Sequence, residues 1–173
     1  LYFQQGDLEQ ASKHYEDALQ KFPSFRRAHK NLGLIAVRQG EFRQAIPHLS
    51  RVVELGGGDG TTFGLLGYAY SSTEQYVPAE SAYRQAVLLQ PDMLDWKLGL
   101  TVSVFKQRKY NEAVALCEEL ITRYPDRADF WMMQANAYVG LAQPLKAAEN
   151  YEVVRRMGKA SAQAIRIPHT RHT

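Results

Sequence analysis

The sequence predicts an all-α protein, a right-handed solenoid of antiparallel helix hairpins, on three observations. Alanines stand at positions 11, 45, 79, 113 and 147, each 34 residues after the last, and self-similarity at a fixed period of this size marks a stack of repeated units. Four residues after each alanine comes a medium or large side chain (Tyr15, Leu49, Tyr83, Cys117, Tyr151), and three further on a small or aliphatic one (Ala18, Val52, Ala86, Leu120, Val154). Such offsets lie on one face of a helix. Upstream, Leu32, Leu66 and Leu100 are followed by Gly33, Gly67 and Thr101, and a further column holds Tyr2, Ala36, Tyr70, Val104 and Tyr138. That is a second amphipathic helix in each unit.

In chain order, a half repeat occupies 1–25, full repeats follow at 26–59, 60–93 and 94–127, and a last one runs from 128 to 159. The turns between paired helices are Gly6-Asp7-Leu8, Gly40-Glu41-Phe42, Glu74-Gln75-Tyr76, Arg108-Lys109-Tyr110 and Ala142-Gln143-Pro144. Glycine, present in two of these, turns the chain at the lowest steric cost. Pro23, Pro91 and Pro125 close the second helices, with Gly57 in that place once; proline stops a helix because it lacks the N–H and clashes with the preceding turn. Three departures stand out. Trp96 sits one place before the column of His29, Phe63 and Trp131, which Lys97 fills; Gln134 replaces the leucine; and Gly56-Gly57-Gly58-Asp59-Gly60 is glycine-rich enough to predict an open loop or hinge.

The period, the small-residue columns and the closing proline together resemble the tetratricopeptide repeat, over residues 1–159. The resemblance implies a stack in which small residues let paired helices approach while larger columns fill the gap to the next hairpin. It also implies that the first helix of each unit lines a concave face. In the columns that such folds expose there, this chain places Lys30, Leu34 and Arg38, then Tyr68, then Leu98, Val102 and Phe105, then Met132 and Asn136. Some family members clamp acidic chaperone tails with Lys, Asn, Asn, Lys and Arg on successive first helices. Lys30 matches the first of these, but Leu34, Leu65, Asp95 and Gly99 do not match the rest. The expected ligand is instead an extended or helical peptide with apolar anchors, its backbone held by the Asn136 amide.

Charge narrows the partners. The formal net charge is +3, yet Arg155, Arg156, Lys159, Arg166 and Arg171 all follow Val153 with no acid among them, so the preceding residues carry a net −2. The broad basic face that nucleic-acid binding needs is not expected. Segment 160–173 is expected as a basic tail, a short helix or disordered. No apolar run approaches the roughly 20 residues of a membrane span. Leu1-Tyr2-Phe3-Gln4 resembles the end of a protease-cleavage tag, although Tyr2 and Gly6 occupy repeat columns.

Chemistry is not expected. The one cysteine, Cys117, lies in a core column and reads as a small buried hydrophobe. The histidines (His14, His29, His48, His169, His172) form no metal-binding spacing, and the glycine cluster lacks the Lys-Ser/Thr of a phosphate loop. The reading is therefore a non-enzymatic interaction scaffold, without cofactor or metal, that binds a protein or peptide and not nucleic acid. Two alternatives stand beside it: homo-oligomerisation through unfinished ends, since no fresh capping helix follows Lys159, and a recruiting arm of a larger enzyme or an envelope or secretion complex. By resemblance, either the cytoplasm or a bacterial periplasm suits such a protein.

Overall fold

A computed structural model describes residues 8–166, with side chains through residue 159. The first turn, Leu1 to Gln4 and the tail from 167 lie outside the described residues. Within them the chain forms nine helices and no strand: α1 (Leu8–Lys21), α2 (Arg26–Gln39), α3 (Phe42–Glu54), α4 (Gly60–Ser72), α5 (Tyr76–Leu89), α6 (Leu94–Lys106), α7 (Tyr110–Arg123), α8 (Ala128–Gly140) and α9 (Pro144–Arg166). The chain divides into two compact units, Leu1–Ser103 and Val104–Thr173.

One turn joins the helices of every described pair. Gly40, Glu74, Arg108 and Ala142, spaced by the repeat, all adopt positive φ, at 76°, 60°, 60° and 56°. After each, an N–H reaches back to the carbonyl five residues earlier: Glu41 to Ala36 at 2.8 Å, Gln75 to Tyr70 at 2.9 Å, Lys109 to Val104 at 3.2 Å and Gln143 to Tyr138 at 2.9 Å. This is the left-handed cap that satisfies carbonyls orphaned at a helix end. Only Gly40 takes that conformation without a Cβ penalty, so in three of four turns the packing of the helices enforces it.

In the first unit α2 packs on α3, α4 on α5, and α3 and α2 both touch α4. The repeat alanines Ala11, Ala45 and Ala79 are 5%, 0% and 0% exposed, so these columns are points of close helix approach and not surface. Leu49 fills the place opposite Gly33, and the Tyr83 ring is wedged between Gly67 on α4 and Gly99 on α6. A Cβ on Gly67 would stand 2.8 Å from that ring. The second unit packs α7 on α8 and α8 on α9, around Val104, Ala113, Cys117, Leu120, Phe130, Ala135 and Ala147.

One expectation is revised by packing. The glycine-rich segment is a tight seam and not an open hinge: Gly57 lies against Arg26, Gly58 against Phe63 and Gly60 against Gln90, with no room for a Cβ. Asp59 there caps α4 by accepting from the Thr62 N–H at 2.7 Å. Trp96, displaced by one column, does not distort α6; its ring lies over Gly64 of α4, where the missing side chain makes space. Beyond Lys159, α9 continues as helix to Arg166.

Candidate functional site

In the first unit, Lys30, Leu34 and Arg38 follow one another on α2 at four-residue spacing, which places them along one face. The same helix touches α4, which carries Tyr68. Tyr68 is 46% exposed, yet its ring is held edge-on to Phe42 with centroids 5.1 Å apart. Leu98 and Val102, on α6, are half-buried. Lys30 is committed already: its Nζ donates to Asp59 at 2.6 Å. Burial opposes ionisation of Asp59, but hydrogen bonds from Lys30 and Thr62 overcome it and hold the carboxyl down to about 2.

In the second unit, Phe105 is half-buried and meets Tyr110 edge-on with centroids 5.6 Å apart. Met132 is 39% exposed. Asn136 is exposed, and its Oδ1 accepts from the Tyr151 hydroxyl at 2.7 Å.

The junctions between hairpins carry features that periodicity did not reveal. His29 Nε2 lies 3.0 Å from the Pro23 carbonyl, and Trp131, in the same column, donates from Nε1 to the Pro125 carbonyl at 2.9 Å. Trp96 donates to Gln90 Oε1 at 2.9 Å, so the partner moves back by one place as the tryptophan does. His29 also meets His48 of α3, with the two Nδ1 atoms 3.1 Å apart. A carbonyl can only accept, so in the neutral pair His29 carries its proton on Nε2 and its Nδ1 accepts from His48 Nδ1–H. Burial, followed by the nearby His29, lowers the His48 pKa from its ordinary value, and Glu16 raises it in part. Phe22 and Phe25 flank the first junction, 66% and 42% exposed. Two phenylalanines around the closing proline, where other units have Gly56, Gln90 and Tyr124 or Asp59, Met93 and Arg127, were the available signal.

Cys117 is fully buried, and burial pushes its thiol up to about 12, far from a reactive thiolate. Among the described residues no group of three or more His, Cys, Asp or Glu side chains is placed to hold a metal ion. No described helix is long and apolar enough to cross a membrane.

The 34-residue columns, the shared left-handed turns and the buried alanines agree with two family models described as tetratricopeptide repeat, which match residues 1–60 and 71–137. The chain belongs to the tetratricopeptide repeat family. Its fold is the all-α tetratricopeptide fold, one that serves generally as a protein-interaction scaffold. Among curated relatives, Superkiller protein 3 of Schizosaccharomyces pombe is 26% identical over 130 residues, covering 74% of this chain. The chain spans only 9% of that relative's length. Among solved structures, YrrB, described as a TPR protein with an unusual peptide-binding site, superposes with a TM-score of 0.82 at 20% identity, covering 87% of this chain and 78% of YrrB. MamA superposes with a TM-score of 0.81 at 20% identity, covering 91% and 86%. A MamA fragment from Desulfovibrio magneticus RS-1 gives 0.69 at 18%, covering 76% and 75%.

Proposed function

We propose that this tetratricopeptide array is a non-catalytic scaffold that holds an extended or helical peptide segment of a partner protein against its first helices. The repeats at 26–59, 60–93, 94–127 and 128–159 are its units. Leu34, Tyr68, Leu98, Val102, Phe105 and Met132 serve as apolar anchors, with Lys30, Arg38 and Asn136 as polar contacts.

One observation carries this reading. Tyr68 is 46% exposed, yet its ring is braced by Phe42. A large ring held in place and left uncovered binds at low entropic cost, because its rotamer is already restricted. YrrB, which shares the fold, is described with a peptide-binding site, which supports the same class of ligand. The test is a pull-down from the source organism with the wild-type chain beside Tyr68→Ala, Phe105→Ala, after circular dichroism shows both to be equally helical. A partner held by the wild type and lost by the variant is expected. The same partner held by both would overturn the reading.

A second reading, assembly of copies through the exposed face of α9, is favoured by Tyr151. It occupies the column of Tyr83, which is 4% exposed, but is itself 37% exposed on α9. Sedimentation over a range of concentrations tests it: mass that rises with concentration and falls on Tyr151→Ser is expected, and a strict monomer would exclude it. A recruiting role within a larger protein is compatible with either reading.

A further inference from the structure

We propose that the junction between α1 and α2 is a second docking site, centred on Phe22 and Phe25 and not on Tyr68, for an acidic segment of a partner protein that inserts one bulky apolar side chain between these two rings. The argument begins from the repeat itself. At each junction, one residue on the incoming first helix stands in the column Ala28, Thr62, Trp96, Phe130, and faces the loop that closes the preceding unit. At three junctions that residue closes the loop. Thr62 Oγ1 donates to Asp59 at 2.6 Å, and Trp96 donates to Gln90 at 2.9 Å. Phe130, fully buried, meets the Tyr124 ring edge-on at 6.2 Å and carries the Arg127 guanidinium 4.6 Å above its own ring.

Phe22 and Phe25 hold the columns of Tyr124 and Arg127, but their counterpart of Phe130 is Ala28, a single methyl group. Two flanking rings are present, Phe25 standing where Arg127 does, and the ring that would join them is not. Phe22 and Phe25 accordingly stand 66% and 42% exposed, around a cleft of about 640 Å³ lined by Lys21, Phe22, Pro23, Ser24 and Phe25. The His29 contact to the Pro23 carbonyl, at 3.0 Å, fixes the loop that carries them, so the cleft is preformed. An incoming aromatic or leucine side chain takes the part that Phe130 plays at the last junction.

Charge selects the rest of the ligand. Residues 21–30 contain Lys21, Arg26, Arg27 and Lys30 and no acid. Lys30 is paired with Asp59; Lys21, Arg26 and Arg27 have no ion pair among the described residues. Arg26 and Arg27, with Lys30, line a cleft of about 470 Å³ over the Gly56–Gly58 backbone. Carboxylates flanking the inserted side chain are the complement, since guanidinium groups bind them in a bidentate manner. A protein segment is favoured over a nucleic acid because the cations cluster at one junction, on a body whose first 152 residues carry net negative charge, and do not track a long groove.

The probe is a synthetic eight-residue peptide with one central tryptophan among glutamates and aspartates, titrated into the isotopically labelled full chain with amide shifts as the readout. Shifts are expected at residues 21–27. Binding should weaken by about tenfold or more in Phe22→Ser, Phe25→Ser and in Arg26→Glu, Arg27→Glu, and with the tryptophan-to-alanine or all-lysine peptides. The four substituted side chains are exposed, so the fold is expected to survive, as circular dichroism would verify. Tyr68→Ala, Phe105→Ala should bind the probe as the wild type does, which separates this site from the peptide reading above. Shifts centred on Tyr68 or Leu98, equal affinity for both junction variants, or no binding at about 1 mM peptide would overturn the proposal. Tighter binding of a ten-nucleotide oligouridine at the same residues would overturn it as well.

Discussion

The Asn150 side chain on α9 donates from Nδ2 to Gln134 Oε1 on α8 at 2.7 Å, and Gln134 donates from Nε2 to the Val114 carbonyl of α7 at 3.2 Å. Gln134 and Asn150 are 6% and 8% exposed, so three helices of the second unit share one buried polar chain where Leu32, Leu66 and Leu100 stand in other repeats. Substituting one member strands the other. Gln134→Leu or Asn150→Leu should each cost about 1–3 kcal/mol, the penalty of a buried unsatisfied amide, while the double substitution recovers most of the loss. Urea denaturation of the four proteins measures this, and additive single effects would show that the amides are not coupled.

The left-handed turns lead to an opposite pair of substitutions. Glu74 holds a φ of 60° with a Cβ, whereas Gly40 holds 76° without one. A left-handed residue costs about 1–2 kcal/mol, and glycine returns part of that gain through its greater freedom in the unfolded chain. Glu74→Gly should therefore stabilise by about 0.5–1 kcal/mol, and Gly40→Ala should destabilise by about 1 kcal/mol. Melting curves that shift the same way for both would refute the assignment.

Asp59 links acid stability to the seam between α2 and α4. Its carboxyl falls from an ordinary 3.8 to about 2 in the folded chain. The folded state thus binds the proton less tightly than the unfolded state. Stability from this group is complete above about 3.8 and is lost as pH falls toward about 2. Asp59 is 53% exposed, so solvent screens the Lys30 pair and the helix cap is the main contribution. Asp59→Ala should cost about 1 kcal/mol near neutral pH and flatten the acid limb of a stability profile between those values; an unchanged limb would assign acid lability elsewhere.

His48 acts at higher pH. Its pKa is lowered by burial and by His29, so the unfolded state takes up the proton first as pH drops below the ordinary value of 6.5. Stability is complete above that value and declines as pH falls through the depressed folded pKa. Comparing melting temperatures at pH 7.5 and 5.5 in wild type and His48→Gln should show a smaller drop in the variant, and equal drops would count against the pair. The nearby Glu16, which favours the charged form, moderates the effect.

The helices, their pairing and the alanine columns were legible because each unit repeats a local pattern, and a fault in one unit is visible against the others. The buried Gln134 was visible as a departure at one column. Its partner was not, because Asn150 lies 16 residues away on another helix and hydrogen-bond partners carry no periodic signal. The first-helix residues could be placed from their columns, but the commitment of Lys30 to Asp59 and of Asn136 to Tyr151 could not.

By itself, the sequence determined the all-α class, the 34-residue unit, the positions of the turns and the small residues that let helices meet. It could do so because periodicity and helix-breaking residues act over a few neighbours along the chain. Only the tertiary structure decided that the glycine-rich segment is a packed seam, that Trp96 finds its space over Gly64, that His29 and His48 share a proton contact, and that Phe22 and Phe25 stay uncovered. Each of these depends on which side chain arrives from a different helix, and whether the space there is filled is settled by volume and geometry in three dimensions.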